Sequence, residues 1–89
     1  MEKELAEIKK LAKDGSLIVG TDRTLNGLKR DKIKKVWISS NAPRETKEDL
    51  EKYAKLQGTR IVSLQIPNTE LGILCKKQFA VSIVSQGEL

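Results

Sequence analysis

Apolar residues along the chain recur first at helical and then at strand spacing, and the two periods alternate to its end. Leu5, Ile8, Leu11 and Ala12 fall at i, i+3, i+6 and i+7, one stripe that predicts a helix over residues 2–14. Glu2 and Glu4 near its start and Lys13 near its end suit the helix dipole, and Gly15 is placed to stop it. The short apolar run at 16–19 reads as a first strand. A second helix is expected over 22–30, with Leu25 and Leu28 turned inward. Gly27 inside it costs up to about 1 kcal/mol relative to alanine, so this helix is either weak or closely packed there.

Consecutive apolar residues at Val36, Trp37 and Ile38 predict a strand over 35–40 that is covered on both faces, with Trp37 in the core. Asn41-Ala42-Pro43 forms a turn, and Pro43 fits the first turn of a third helix over 43–57. Leu50, Tyr53, Ala54 and Gln57 share a face of that helix. Glu48 with Lys52, and Glu51 with Lys55, are i, i+4 pairs expected on its solvated side, and Gly58 ends it. A third strand over 59–66 alternates, with Val62, Leu64 and Ile66 on its apolar face. Asn68 or Thr69 is expected to cap a short helix over 70–75. The run Phe79-Ala80-Val81-Ser82-Ile83-Val84 reads as the last strand, and residues 85–89 are too mixed to assign. Four such alternations favour an α/β domain with helices on both faces of one sheet. The short fourth helix leaves both a parallel and a partly antiparallel sheet open.

At 89 residues, with no repeat or low-complexity segment, a single domain over 1–89 is expected. One cysteine, Cys75, excludes an intrachain disulfide framework and a CxxC metal site, and it reads as a small core residue. The absence of histidine removes the commonest metal ligand and general base. The chain has no GxxxxGK[ST] loop, and Gly20 lacks the other glycines of a dinucleotide fingerprint. Neither an enzyme nor a cofactor is expected. No apolar run approaches the length of a membrane span, and the alternating charges at the start do not form a signal peptide. A soluble cytoplasmic protein is the expectation.

The net charge of +5 suits a polyanion such as nucleic acid. The excess is concentrated at Arg23, Lys29, Arg30, Lys32, Lys34 and Lys35, against Asp31 alone. Just before and within that run lies Val19-Gly20-Thr21-Asp22-Arg23-Thr24, a strand end, a glycine turn and a helix start. Thr21 and Asp22 both suit the N-cap, and free N–H groups there can bind phosphate. The same stretch also fits an ordinary connection leading to a solvated basic helix. The turns at Gly20–Thr24 and Asn41–Arg44 and the segment Lys76–Phe79 all flank strands, so an α/β sheet could bring them together. Together they would offer backbone N–H groups, an amide for a base edge, cations and one aromatic ring, the mix that suits unpaired RNA bases. Taken singly, Asn41 reads as a turn residue and Phe79 as core.

Several short motifs carry a resemblance. Val19-Gly20-x-x-x-Thr24-Leu25 is followed by Lys34-Lys35-Val36-x-Ile38-x-x-Asn41-x-Pro43, then Glu51-x-Tyr53-Ala54-x-Leu56 and Asn68-x-Glu70-Leu71-Gly72. In this order and spacing the chain resembles, over nearly its whole length, large-subunit ribosomal protein thirty of the archaeal and eukaryotic type. That family belongs to a superfamily that binds kink-turn RNA. The resemblance implies a three-layer α/β/α sandwich with a mixed four-stranded sheet. It implies RNA contacts at Gly20, Asn41 and Phe79, with the start of the second helix in the groove, Pro43 keeping the family turn and Lys77 at a basic position; Thr21, Asp22, Arg23, Thr24 and Arg44 on the same turns complete the expected RNA-binding set.

The chain departs from the family pattern at Asp22, usually basic or asparagine, and at Asn26, often lysine. Lys76 stands at a common glycine and Thr46 at a common basic residue. The implied function is a non-catalytic structural component of the large ribosomal subunit that stabilises a kinked internal loop of rRNA. Neighbouring ribosomal proteins are implied partners, and the protein is expected to be a monomer off the ribosome. Two alternatives stand beside it: a non-ribosomal kink-turn regulator or guide-RNA particle component, and a protein–protein adaptor on the same fold.

Overall fold

The computed structural model describes residues 2–87. The elements follow as α1 (Glu2–Asp14), β1 (Ile18–Val19), α2 (Thr21–Lys29), β2 (Ile33–Ile38), α3 (Arg44–Gln57), β3 (Arg60–Ser63), α4 (Asn68–Leu74) and β4 (Ile83–Gly87). The strands make one sheet in the order β1-β4-β2-β3. β4 is antiparallel to both neighbours, whereas β2 and β3 are parallel. A parallel pair needs a long crossover, and α3 supplies it. The sheet is therefore mixed.

Successive strand side chains face opposite sides, and this sorts β2 between two cores. Val36 and Ile38 pack with Leu28 of α2 and with Leu50 and Ala54 of α3. Trp37 packs on the other face with Ile8 of α1, Leu71 of α4 and Cys75. The layers are α2 and α3, the sheet, and α1 and α4, the three-layer sandwich that the resemblance implies. Burial pushes the Cys75 thiol up, which keeps it protonated and inert.

Several boundaries differ from the sequence pattern. β1 is shorter because the N–H groups of Ser16 and Leu17 both donate to the Leu11 carbonyl, which keeps them on the end of α1. β2 starts two residues early, with Lys34 exposed and Lys35 turned to α1. It ends at Ile38, after which Ser39 and Ser40 donate to Ser82 and Ile66 outside the regular ladder. β3 stops at Ser63, and Leu64 makes one further bond to Ile38. The largest shift is in β4, expected over 79–84 and found at Ile83–Gly87. Phe79 is in a loop and exposed, not in the core. The polar Ser85 is instead fully buried, its hydroxyl 2.8 Å from that of Thr24.

The expected caps are also corrected. Gly20 occupies the N-cap of α2, Pro43 that of α3 and Pro67 that of α4, all without a side-chain cap bond. Thr21, Asp22, Asn68 and Thr69 are therefore not caps. On α3, Glu48 pairs with Arg44 at 3.1 Å rather than with Lys52, and no Glu51–Lys55 bridge forms among the described residues.

All four helices run into a left-handed residue: Gly15, Asp31, Gly58 and Lys76. The two glycines were legible in the residue pattern, Lys76 only through the glycine common there in the family the chain resembles, and Asp31 not at all. After α4, Lys77 N–H reaches Gly72 O at 2.9 Å and Lys76 N–H reaches Ile73 O at 3.0 Å, which satisfies the last carbonyls and fixes Lys76 at φ 60°.

α1 is fastened to the sheet by one polar cluster. Glu4 Oε1 accepts from Lys35 Nζ at 2.8 Å and from Trp37 Nε1 at 3.0 Å. Glu7 Oε2 accepts from the same ammonium at 3.3 Å. The Lys35 and Trp37 hydrogen bonds hold the Glu4 carboxyl below the usual glutamate range.

Two outcomes follow for stability. Lys76→Gly is expected to raise stability by about 1 kcal/mol in urea melts, since glycine takes the left-handed region without a Cβ clash. Glu4→Ala is expected to cost about 1–3 kcal/mol at neutral pH by stranding the buried Trp37 N–H. A carboxyl with a depressed folded pKa stabilises the fold above its unfolded pKa, and that contribution is lost as pH falls through the folded value. Urea melts at descending pH should therefore show the gap between wild type and Glu4→Ala narrowing in acid.

Candidate nucleic-acid interface

Gly20 closes β1 at φ 116° and ψ 153°, a region that side-chain-bearing residues avoid. Its N–H donates to the Ile83 carbonyl at 3.0 Å, which fixes the turn against the start of β4. A Cβ built on Gly20 meets nothing within 4 Å, so the turn is open on its outer side. α2 starts immediately after it with no side chain on its N-terminal N–H groups. That leaves a partial positive charge at the turn, with Arg23 one residue beyond Asp22.

The facing wall is the loop between α4 and β4. At Gly72 a Cβ would overlap the Phe79 carbonyl, so only glycine lets this loop lie flat on α4. Val81 N–H donates to Asn68 O at 3.0 Å and closes the loop's far end. Phe79 is left 62% exposed on the molecular surface.

Between the walls is an open cleft of about 470 Å³. Gly20, Thr21 and Arg23 from the turn and Lys77, Phe79 and Ser82 from the loop before β4 all line it. A second hollow, of about 300 Å³, lies along Phe79 and Lys77 toward Thr69 and Ile73. An aromatic ring between two hollows, with a cation beside it, can stack a base while its phosphate is neutralised.

Asn41 joins this site through a side-chain network. Its Nδ2 donates to Asn68 Oδ1 at 3.2 Å, and Asn68 N–H donates back to Asn41 Oδ1 at 2.8 Å. Asn68 Nδ2 reaches Ser82 Oγ, on the cleft wall, at 3.4 Å. Ser39 N–H donates to Ser82 O at 2.9 Å and brings the end of β2 to the same place. Asn41 remains exposed, and its amide carries a second hydrogen beyond the one used on Asn68. Gly20, Asn41 and Phe79 therefore gather around one end of the sheet.

The other candidates are placed differently. Thr24 is fully buried, its hydroxyl on Ser85 and its N–H on the Gly20 carbonyl, so it has no group to offer a ligand. Its place in the binding set is corrected to a structural one. Asp22 is exposed at the start of α2 but does not line the cleft. Pro43 and Arg44 are exposed on α3 outside the cleft, and Arg44 is engaged by Glu48. Lys35, part of the basic run, is withdrawn from the surface by Glu4 and Glu7. Sequence reasoning missed Asn68 and Ser82 as parts of the site. Asn68 was visible within Asn68-x-Glu70-Leu71-Gly72, whereas Ser82 was hidden inside the misplaced last strand.

Among the described residues no helix is long and apolar enough to cross a membrane. Nor does any group of three or more Cys, Asp or Glu side chains come together to hold a metal ion.

Comparison with known proteins gives a consistent result. Large ribosomal subunit protein eL30 of Methanothermobacter thermautotrophicus is 42% identical over 67 residues, covering 75% of this chain and 68% of that protein. The eL30 protein of Sulfolobus acidocaldarius is 39% identical over 85 residues, covering 92% of this chain and 82% of its own. Among solved structures, the Giardia lamblia 15.5kD RNA binding protein superposes with a TM-score of 0.83 at 24% identity, covering 96% of this chain and 71% of that one. A Bacillus halodurans protein of unknown function has a TM-score of 0.84 at 17% identity, covering 94% and 83%. Residues 2–88 match the family profile, and the chain belongs to the ribosomal protein L7Ae/L30e/S12e/Gadd45 family.

Proposed function

We propose that this protein is a non-catalytic RNA-binding component of the large ribosomal subunit that holds a kinked internal loop of rRNA in its bent form. The observation that carries the proposal is the shared cleft: the Gly20 turn and the Phe79 loop line one hollow, with Arg23 and Lys77 both in its lining. The names of the eL30 relatives support the ribosomal assignment.

Each group has a role in this scheme. The open Gly20 turn and the uncapped start of α2 take a phosphate at the bend, and Thr21 contributes backbone N–H. Arg23 and Lys77 neutralise the strands that converge there. Phe79 stacks an unpaired base, and Asn41 donates to a base edge. Asp22, freed from capping, accepts from an exocyclic amino group such as that of cytosine. A kinked loop splays its bases and widens the groove, so it exposes what these groups bind and a straight duplex does not. The protein needs no cofactor for this, works in the cytoplasm with rRNA and its protein neighbours, and is a monomer away from the ribosome.

Gel shifts against kink-turn and straight duplex RNAs test the proposal. Wild type should prefer the kinked RNA, and Arg23→Glu and Asn41→Ala should each weaken that complex by roughly 1–3 kcal/mol. Two variants indistinguishable from wild type would rule out this surface. Phe79→Ala should also cost roughly 1–3 kcal/mol in binding through lost stacking. Because the ring is exposed, its thermal melt should stay close to wild type.

A further inference from the structure

A second groove lies between α1 and the end of α4, away from the Gly20 turn. It holds about 400 Å³ and is lined by Lys9, Lys13, Ile73, Leu74 and Lys76, three cations with no carboxylate among them. The groove neighbours the first site. Ile73 lines both this groove and the hollow beside Phe79, while Phe79 and Lys77 line both that hollow and the main cleft. Arg23 and Lys77 at the cleft and Lys76, Lys13 and Lys9 at the groove thus put cations on neighbouring hollows.

Two features oppose the placing of these charges on grounds of stability alone. Lys9 and Lys13 are an i, i+4 pair of like charge on one helix face, which repel each other. Lys76 sits at φ 60°, where glycine is the unstrained residue. Strain kept at an exposed cation is accounted for when the cation has a ligand.

We infer that the α1–α4 groove is a second, sequence-independent RNA contact that grips the phosphate backbone of the duplex stem leaving the kinked loop. The inference rests on the RNA-binding function proposed above. A duplex is the occupant the charges favour, because its phosphates are regularly spaced on a stiff rod and can follow a line of separated lysines. The molecule measures 30 × 27 × 22 Å, so the groove is within reach of about one helical turn of a stem that leaves the cleft toward it. Ile73, 74% exposed among the lysines, gives the sugar edge an apolar support.

Three RNAs test this: a kinked loop with short stems, the same loop with one stem lengthened by a helical turn, and a straight duplex of that longer length. The proteins are wild type, Lys9→Gln/Lys13→Gln and Lys76→Gly. The lengthened stem should tighten wild-type binding. The double variant should bind the short-stem RNA as wild type does, but the long-stem RNA roughly tenfold more weakly, with a log–log salt slope smaller by about 2. Lys76→Gly should lose about 1 in slope while melting at a higher temperature, a combination that a purely structural role for Lys76 would not give. If wild type fails to prefer the kinked loop over the straight duplex, the kink-recognition proposal fails. The groove is then judged on the straight duplex, where the same losses support it. Equal affinities and slopes for wild type and both variants on both long RNAs would overturn it and leave the groove to an acidic protein neighbour.

Discussion

Main-chain hydrogen bonds at residues 81–83 hold the candidate site together. Val81 donates to Asn68 at the start of α4, Ser82 accepts from Ser39 at the end of β2, and Ile83 accepts from Gly20 at the end of β1. Segments far apart in sequence are thereby tied to the residues that lead into and begin one strand. That strand lies between β1 and β2 in the sheet, so it can reach both. Placing β4 in the interior of the sheet brings the loops to one end, and the loops carry the chemistry. A rigid scaffold that presents polar groups on its connections is a common route to a binding site.

Much of this was legible in the sequence because it depended on local pattern. The stripe on α1, the apolar face of α3, Trp37 with aliphatic neighbours on both sides, and Gly15 and Gly58 as stops all follow from residue type and spacing alone. The features that were hidden depend on contacts distant in sequence. Phe79-Ala80-Val81 has the look of a strand, but its backbone lies on Gly72 of α4 and Val81 bonds to Asn68 instead of to a strand. Ser85 looks like tail, but it lies in interior strand β4 between Ile18 and Val36, where the Thr24 hydroxyl satisfies its own. The basic run through Lys35 appears uniform, yet Glu4 and Glu7 remove its last member from the surface. The left-handed turn at Asp31 gave no glycine signal, and that at Lys76 was marked only by the glycine common at that position in the family the chain resembles.

The two faces of the sheet divide the work. On the side of α1 and α4, Glu4, Lys35 and Trp37 form a polar fastening that sets where α1 lies, and through it where Lys9 and Lys13 stand. On the side of α2 and α3 the contacts are chiefly apolar, with Leu28, Leu50 and Ala54 against Val36 and Ile38. The start of α2 is held by backbone rather than by a capping side chain. A cap there would occupy the N–H groups that a phosphate would otherwise meet.

The Thr24–Ser85 hydroxyl pair has an evolutionary corollary. Both hydroxyls are sealed from solvent and serve each other, so altering either one alone strands its partner in an apolar interior. Replacing both by nonpolar groups of matching volume would be nearly neutral, whereas each intermediate would suffer. Positions 24 and 85 should therefore drift in concert among homologues, a paired substitution joining the first turn of α2 to the central strand.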